Sequence, residues 1–323
     1  MYNEYRTNFL ILKVVENYKN FKSDKKSIVT IGTFDGVHIG HQKILEQLVT
    51  TARKNNANAV LLTFFPHPRM VLQKETSIQL INTIQERVEI FKEIGLDYLI
   101  IHPFDKDFSR LSALEFVRTV LGGHLNTDVL IVGYDHRFGK NREGNFEQLQ
   151  EYGPMYDFEV NEISAQDIDQ ISVSSTKIRR ALLEGNIKRA NQYLGYAFSI
   201  TGTVVSGERI GKTIGFPTAN IQVGEGYKLI PKKGAYLVTS TIDGKCYHGM
   251  MNIGVRPTVK GTVQTIEVHF FGFDGDLYGK ILKISLIDFL REEKKYPSIE
   301  VLKDQLSKDK IKSLELIQEL IQN

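Results

Sequence analysis

The sequence predicts an α/β domain followed by a β-rich domain. Three observations carry that prediction. Short apolar runs alternate with helix-period segments through the first half. The alternation ends after a helical stretch at Ser174–Leu194. From Phe198 onward, strand-like runs are separated by tight turns.

In chain order, Ser27–Thr33 is an apolar run that ends at a glycine, and Gly40–Lys54 carries helical apolar spacing at Ile44, Leu45, Leu48 and Ala52. Ala59–Phe65 reads as a buried strand, and Thr83–Ile94 as a helix closed by Gly95. Tyr98–His102 is a strand, Leu114–Leu121 a helix stopped by Gly122 and Gly123, and Val129–Val132 a strand. Strands alternating with helices imply a parallel sheet covered on both faces, with ligands at the carboxyl ends of its strands. In the second half, Asp243-Gly244 joins Leu237–Ile242 to Lys245–Met251 as a hairpin. Thr265–Phe273 and Gly279–Ile287 flank a loop with Asp274-Gly275, so a small sandwich or barrel is expected. Ser298–Ile321 has the apolar spacing of one or two amphipathic helices. The domains are placed at 1–184 and 185–323, with the boundary near Gly185 to within about ten residues.

Bulk properties agree. The chain has 323 residues, 41% hydrophobic and 24% charged, which suits two globular domains. A net charge of +3 argues against a polynucleotide partner. The single cysteine, Cys246, excludes an intrachain disulfide and fits a reducing compartment. No stretch approaches a membrane span. Met1–Arg6 is polar and Phe9–Leu12 is too short for a signal-peptide core. A cytoplasmic protein with no membrane partner is expected.

The first candidate site is Gly32–Gln42 (GTFDGVHIGHQ), which follows a predicted strand and opens a predicted helix. Backbone N–H groups of a glycine-containing turn approach an anion closely, and the helix start favours negative charge. His38 and His41 share one face of the first turn and offer donors to a phosphate. Alone, such a pair more often reads as caps or surface residues, and a metal site of this spacing would lack its usual other ligands. The glycines, Asp35 and the strand–turn–helix setting favour phosphate. Ser174, Ser175 and Thr176, with Arg179 one turn on, fit either a phosphate clamp or a plain N-cap ahead of a basic helix.

In the second half, Gly207–Thr213 has three residues between its glycines where a Walker A loop needs four, and it lacks a βα setting. Gly211–Asn220 (GKTIGFPTAN) is the better unit. On pattern alone it is a glycine- and proline-rich turn with a polar cap. Glu267 in Ile266–His269 (IEVH) is, on pattern alone, the solvent-facing member of a strand.

Together these motifs resemble the bifunctional bacterial riboflavin kinase/FAD synthetases. GTFDGVHIGHQ resembles the HxGH signature of nucleotidyltransferases, LTFFPHPR (Leu62–Arg69) a TFxPHP segment, and VSSTKIR (Val173–Arg179) an SSTxIR motif. Gly133–Gly139 (GYDHRFG) resembles GxDFxFG, with His136 where phenylalanine is usual. GKTIGFPTAN resembles the riboflavin kinase signature, Met251–Thr258 (MNIGVRPT) its NIGxRPT segment, IEVH its ExH segment and Phe289–Arg291 its FLR segment.

The resemblance implies a doubly wound α/β nucleotidyltransferase domain and a Greek-key β-barrel with terminal helices. The implied activity is phosphorylation of riboflavin to FMN and adenylyl transfer from ATP to FMN, giving FAD. Gly32, Phe34, Asp35, Gly40, Ser174, Ser175, Thr176 and Arg179 would bind the adenylyltransferase nucleotide, with His38 and His41 catalytic. Pro66, His67, Pro68 and Asp135 would meet its flavin. In the kinase, Gly211, Lys212, Gly215, Pro217, Thr218 and Asn220 would bind nucleotide, with Thr218 and Asn220 holding Mg2+. Glu267 would be the base and Arg291 a flavin contact. Rival readings are one degenerate half, which His136 favours slightly, or a non-catalytic flavin or nucleotide sensor, which the presence of Glu267, Thr218 and Asn220 disfavours.

Overall fold

The computed structural model describes residues 11–72, 78–163, 173–207, 210–258 and 261–322. They form two compact units, Met1–Ser174 and Ser175–Asn323. The helix Ser175–Glu184 opens the second unit.

The first unit holds β1 (Lys13–Glu16), β2 (Ser27–Ile31), β3 (Asn58–Phe64), β4 (Tyr98–His102), β5 (Thr127–Gly133) and β6 (Glu159–Ile163). They pair in parallel in the order β1-β4-β3-β2-β5-β6. Side chains alternate between faces along each strand, and both faces are covered. Ile28, Leu61, Leu99 and Val129 pack with Leu45, Leu48 and Phe91 from helices on one side. Val29, Leu62, Ile100 and Leu130 pack with Phe116, Val117 and Leu121 on the other. That is why SIVTI, LLTF and YLII read as continuous apolar runs.

The helix Ile39–Lys54 is capped by His38, and Ile84–Ile94 by a Thr83/Glu86 capping box. Gly95 closes the latter at φ +91°. The expected Leu114–Leu121 helix starts as an α-helix at Ala113–Phe116 and widens to a π turn at Val117–Gly122.

The chain runs from β2 outward to β3 and β4, then returns to place β5 on the other side of β2. The reversal opens a crevice at the carboxyl ends of β2 and β5, where open α/β sheets bind ligands. The two loops leaving those ends are Gly32–His38 and Tyr134–Gly139.

The second unit is a closed antiparallel barrel of β7 (Ser199–Val205), β8 (Ala219–Gln222), β9 (Gly234–Ile242), β10 (Lys245–Thr258), β11 (Gly261–Phe270) and β12 (Ile281–Glu292). Its order is β10-β11-β8-β7-β12-β9. Strands β9, β10 and β11 are sequential neighbours and β12 returns beside β9, which is the Greek-key arrangement. Asp243 (φ +49°) and Gly244 (φ +80°) make the predicted two-residue turn. The C-terminal segment is one helix, Ile299–Gln322. Its Leu302, Leu306 and Ile317 pack against Leu237, Met250 and Leu290 of the barrel.

Candidate active sites

In the first unit, the loop after β2 is fixed from behind. Asp35 is buried, and its carboxylate accepts the N–H groups of Ile81 (2.9 Å) and Asn82 (3.3 Å). Arg87 Nη1 donates to the Thr33 carbonyl at 2.5 Å. Gly36 has φ +86°, and a Cβ there would meet Ile81 Cδ1 at 2.9 Å, so glycine is required on two counts. Phe34 buries its ring 4.7 Å from that of His41 and edge-on to Phe91. Gly40 is buried in the first helical turn.

His38 is the N-cap of the helix Ile39–Lys54, and its Nδ1 accepts the His41 N–H at 3.3 Å. An accepting Nδ1 carries no proton, so neutral His38 holds its proton on Nε2 and is a donor there. Burial lowers the His38 pKa to about 4. Burial, with neighbouring His38 and Arg87, holds His41 well below the usual histidine range. Both rings are therefore neutral at pH 7. His41 Nδ1 is buried and has no hydrogen-bond partner among the described residues.

Pro66, His67 and Pro68 follow the carboxyl end of β3, and His67 Nδ1 accepts the Arg69 N–H at 3.2 Å. Pro68 starts the short helix Pro68–Leu72. Asp135 is exposed on the loop after β5. His136 lies beside it, parallel to the Phe138 ring at 6.0 Å, and burial lowers its pKa to about 4. Its Nε2 is buried with no hydrogen-bond partner among the described residues. Ser174 ends the first unit, whereas Ser175, Thr176 and Arg179 lie on the helix that opens the second.

In the second unit, a cavity of about 340 Å³ is lined by Gly211, Thr218, Asn220, Arg256, Glu267 and His269, with Met250, Leu302 and Leu306 supplying apolar wall. Five residues expected from the sequence line it: Gly211, Thr218, Asn220, Glu267 and Arg291. Glu267 on β11 is in register with Asn220 on β8 and with Asn252 on β10. Thr218 Oγ1 donates to Glu267 Oε2 at 3.3 Å, and Arg256 Nη2 stands 3.7 Å from Oε1. Gly215 (φ +85°) turns the segment before Pro217. A Cβ at Gly211 would run into the Phe216 carbonyl, and one at Gly207 into the Asn220 amide, so backbone and site are in close approach. Lys212 falls on the one-turn helix Ile210–Thr213.

Arg291 lines the same cavity but is firmly paired. Its guanidinium forks onto Asp309, with Nε to Oδ1 at 3.0 Å and Nη2 to Oδ2 at 2.7 Å, and stacks on Tyr296 at 5.6 Å. Asp309 is only 5% exposed, so this bridge ties β12 to the C-terminal helix. Sequence reasoning did not single out Arg256, His269 or Asp309. Arg256 and His269 stood in the MNIGVRPT and IEVH stretches without a role of their own. No signal marked Asp309.

Residues 20–177 match the FAD synthetase family and residues 194–317 match the riboflavin kinase family. The bifunctional riboflavin kinase/FMN adenylyltransferase of Buchnera aphidicola (subsp. Schizaphis graminum) is 38% identical over 92% of this chain and 96% of its own length. The Escherichia coli K12 protein of the same name is 36% identical over 89% and 92%. The one from Listeria monocytogenes is 37% identical over 89% and 91%. The crystal structure of a macrolide-efflux protein from Streptococcus pneumoniae matches with TM-score 0.83 and 31% identity, over 93% of this chain and 97% of that one. Efflux is that protein's designation. Among the described residues here, no helix is long and apolar enough to cross a membrane. Two family matches in the expected order, with full-length relatives at this identity, establish that the chain belongs to the bifunctional riboflavin kinase/FMN adenylyltransferases, which phosphorylate riboflavin to FMN and adenylylate FMN to FAD at the expense of ATP.

Proposed function

We propose that the two reactions are divided between the two units, with phosphoryl transfer at the Glu267 cavity and adenylyl transfer at the His38–His41 loop. The observation that carries the kinase half is the meeting of Glu267, Thr218 and Asn220 in one cavity.

At the kinase centre Glu267 takes the proton of the ribityl 5′-hydroxyl as that oxygen bonds to the γ-phosphorus of ATP and the bond to ADP breaks. Thr218 and Arg256 hold the carboxylate in place. The Thr218 hydroxyl and the Asn220 amide oxygen suit a hard divalent ion. Two neutral oxygen donors fit an ion whose other ligands are phosphates and water. An ion held by Thr218 and Asn220 would offset the negative charge of the nucleotide phosphates. Gly211, Lys212, Gly215 and Pro217 shape the nucleotide side, and Arg291 borders the flavin end.

Adenylyl transfer needs no base, because the FMN phosphate oxygen that attacks the α-phosphorus is already ionised and pyrophosphate leaves. Neutral His38 donates from Nε2 and His41 supports it, beside the start of the helix. Gly32 and Gly40 leave room for phosphate at the backbone, while Phe34 and Asp35 act by fixing the loop. Pro66, His67, Pro68 and Asp135 stand on the flavin side. We place the reactions in the cytoplasm, with riboflavin, FMN and ATP as partners and neither nucleic acid nor membrane involved.

The test is a time course with riboflavin, ATP and Mg2+, separating FMN and FAD, with and without a chelator. FMN should rise before FAD, and chelation should stop the phosphorylation. A chain that makes FAD from supplied FMN but leaves riboflavin untouched would remove the kinase half of the reading.

A further inference from the structure

We infer that His269 is a positioning residue of the kinase centre, acting through the Pro217 carbonyl to hold the Thr218 hydroxyl against Glu267. The inference rests on the kinase reading above and adds a residue to it.

The ladder between β8 and β11 contains Glu267 opposite Asn220 and Val268 opposite Ala219, and it stops there. One step further would set His269 opposite Thr218. Beyond that the chain reaches Pro217, which has no N–H to offer a sheet. The segment therefore leaves the ladder at the residue whose hydroxyl contacts the base. What holds it is a side chain. The His269 ring, 9% exposed, places Nδ1 2.8 Å from the Pro217 carbonyl oxygen. A carbonyl only accepts, so Nδ1 carries the proton and donates. The ring is itself held edge-on between Phe216 (5.3 Å) and Phe271 (5.8 Å).

His269 and Glu267 are two residues apart on one strand and so share a face. Both line the cavity. The chain of contacts is therefore closed: His269 to Pro217, Pro217 to Thr218 by the peptide bond, and Thr218 Oγ1 to Glu267 Oε2. Losing the first link frees the Pro217–Thr218 peptide, and Thr218 then samples positions away from Glu267 and the nucleotide phosphates. Misplacement on the scale of 1 Å in such a site costs about 10²-fold in rate.

Three variants of the full chain test this: His269→Leu, His269→Asn and Thr218→Ala, with the double variant His269→Leu/Thr218→Ala. Asparagine keeps an amide N–H at the reach of Nδ1, whereas leucine fills space without a donor. His269→Leu should lower kinase kcat/KM for ATP by about 10²-fold. FAD formation from supplied FMN should stay unchanged on the same preparation. His269→Asn should recover most of the loss. The double variant should be little worse than Thr218→Ala alone, because both remove one arrangement. Leu and Asn variants equally impaired would mean that ring packing, not the hydrogen bond, matters, and would overturn the inference. Wild-type kinetics in His269→Leu, or full additivity with Thr218→Ala, would overturn it too. If Thr218→Ala itself phosphorylates riboflavin at the wild-type rate, the kinase reading of Thr218 fails as well, which separates the two failures.

Discussion

His38 and His41 stack with ring centroids 3.6 Å apart and planes 14° from parallel. Burial keeps both rings neutral, and at His41 the neighbouring His38 adds to it. Neutral rings still donate an N–H, and they do so without drawing a resident counter-ion into the loop.

His38→Ala or His41→Ala should therefore abolish most FAD formation while leaving riboflavin phosphorylation nearly intact. Loss of one preorganised donor costs typically ~10²–10³ in rate. Steady-state assays of both half-reactions on one preparation decide the point. If the two activities fall together in a chain that melts normally, the division of labour is wrong.

The same burial makes the first unit sensitive to acid. His38, His102 and His136 are all lowered to about 4, and His41 is lowered as well. An unfolded chain protonates its histidines from about pH 6.5 downward. Between pH 6.5 and 4 the unfolded state thus binds more protons than the folded one, and stability falls as pH falls through that window. The loss should level off below pH 4 for His38, His102 and His136. A tenfold weakening of proton binding in the folded state is worth ~1.4 kcal/mol, so the combined effect is on the order of several kcal/mol. Hydrogen exchange at pH 7 and pH 5, corrected for intrinsic rates, should show protection falling in β2–β5 more than in the barrel strands. Equal change in both units would contradict this account.

The central strands and main helices were legible because both faces of the sheet are buried. Continuous apolar runs such as SIVTI stand out when no solvent-facing residue interrupts them. The edge strands β1 and β6 were not legible. Lys13–Glu16 has two valines between exposed charged ends, and Glu159–Ile163 is exposed and polar at three of its five positions, so neither shows the apolar run. The loop residues Gly36 and Asp35 were readable as a motif, but the reason for them lies in Ile81 and Asn82, more than forty positions away. The FLR motif marked Arg291, but nothing in the sequence connects it to Asp309 across the turn into the C-terminal helix.

The place of the helix Ser175–Glu184 gives a third prediction. Ile178 and Leu182 are fully buried, and the Leu182 carbonyl accepts the Lys232 N–H at 3.1 Å. Gly185 packs beside Lys232 and Phe289, and the Asn186 N–H reaches back to the Ala181 carbonyl at 2.8 Å. A fragment cut at Ser175 should fold and phosphorylate riboflavin. One cut at Gly185 loses the burial of two aliphatic side chains, at ~1.5–3 kcal/mol each, and should be less stable by ~3 kcal/mol or more. Denaturant unfolding of both fragments gives the comparison. Equal midpoints would show that the helix contributes nothing to the barrel.

Glu267→Gln is the last and most direct test. The primary hydroxyl of riboflavin is a poor nucleophile at neutral pH, so phosphoryl transfer gains from a carboxylate placed to take its proton. Glutamine keeps the length of the side chain and an oxygen able to accept from Thr218 Oγ1, which now donates at 3.3 Å. It loses the charge facing Arg256 Nη2 and it loses the basic oxygen. General-base catalysis is worth typically ~10²–10⁴-fold, and riboflavin turnover should fall within that range. The KM for ATP should move little, because the proposed phosphate and Mg2+ contacts come from Thr218, Asn220 and the glycine-rich turn rather than from Glu267. FAD formation from supplied FMN should persist, since its donors are His38 and His41. A Glu267→Gln enzyme that phosphorylates riboflavin at the wild-type rate would show that Glu267 is a strand residue facing a cavity and not the base. A large rise in KM for ATP with kcat unchanged would instead move Glu267 into nucleotide binding, and the proton would need another acceptor in the cavity.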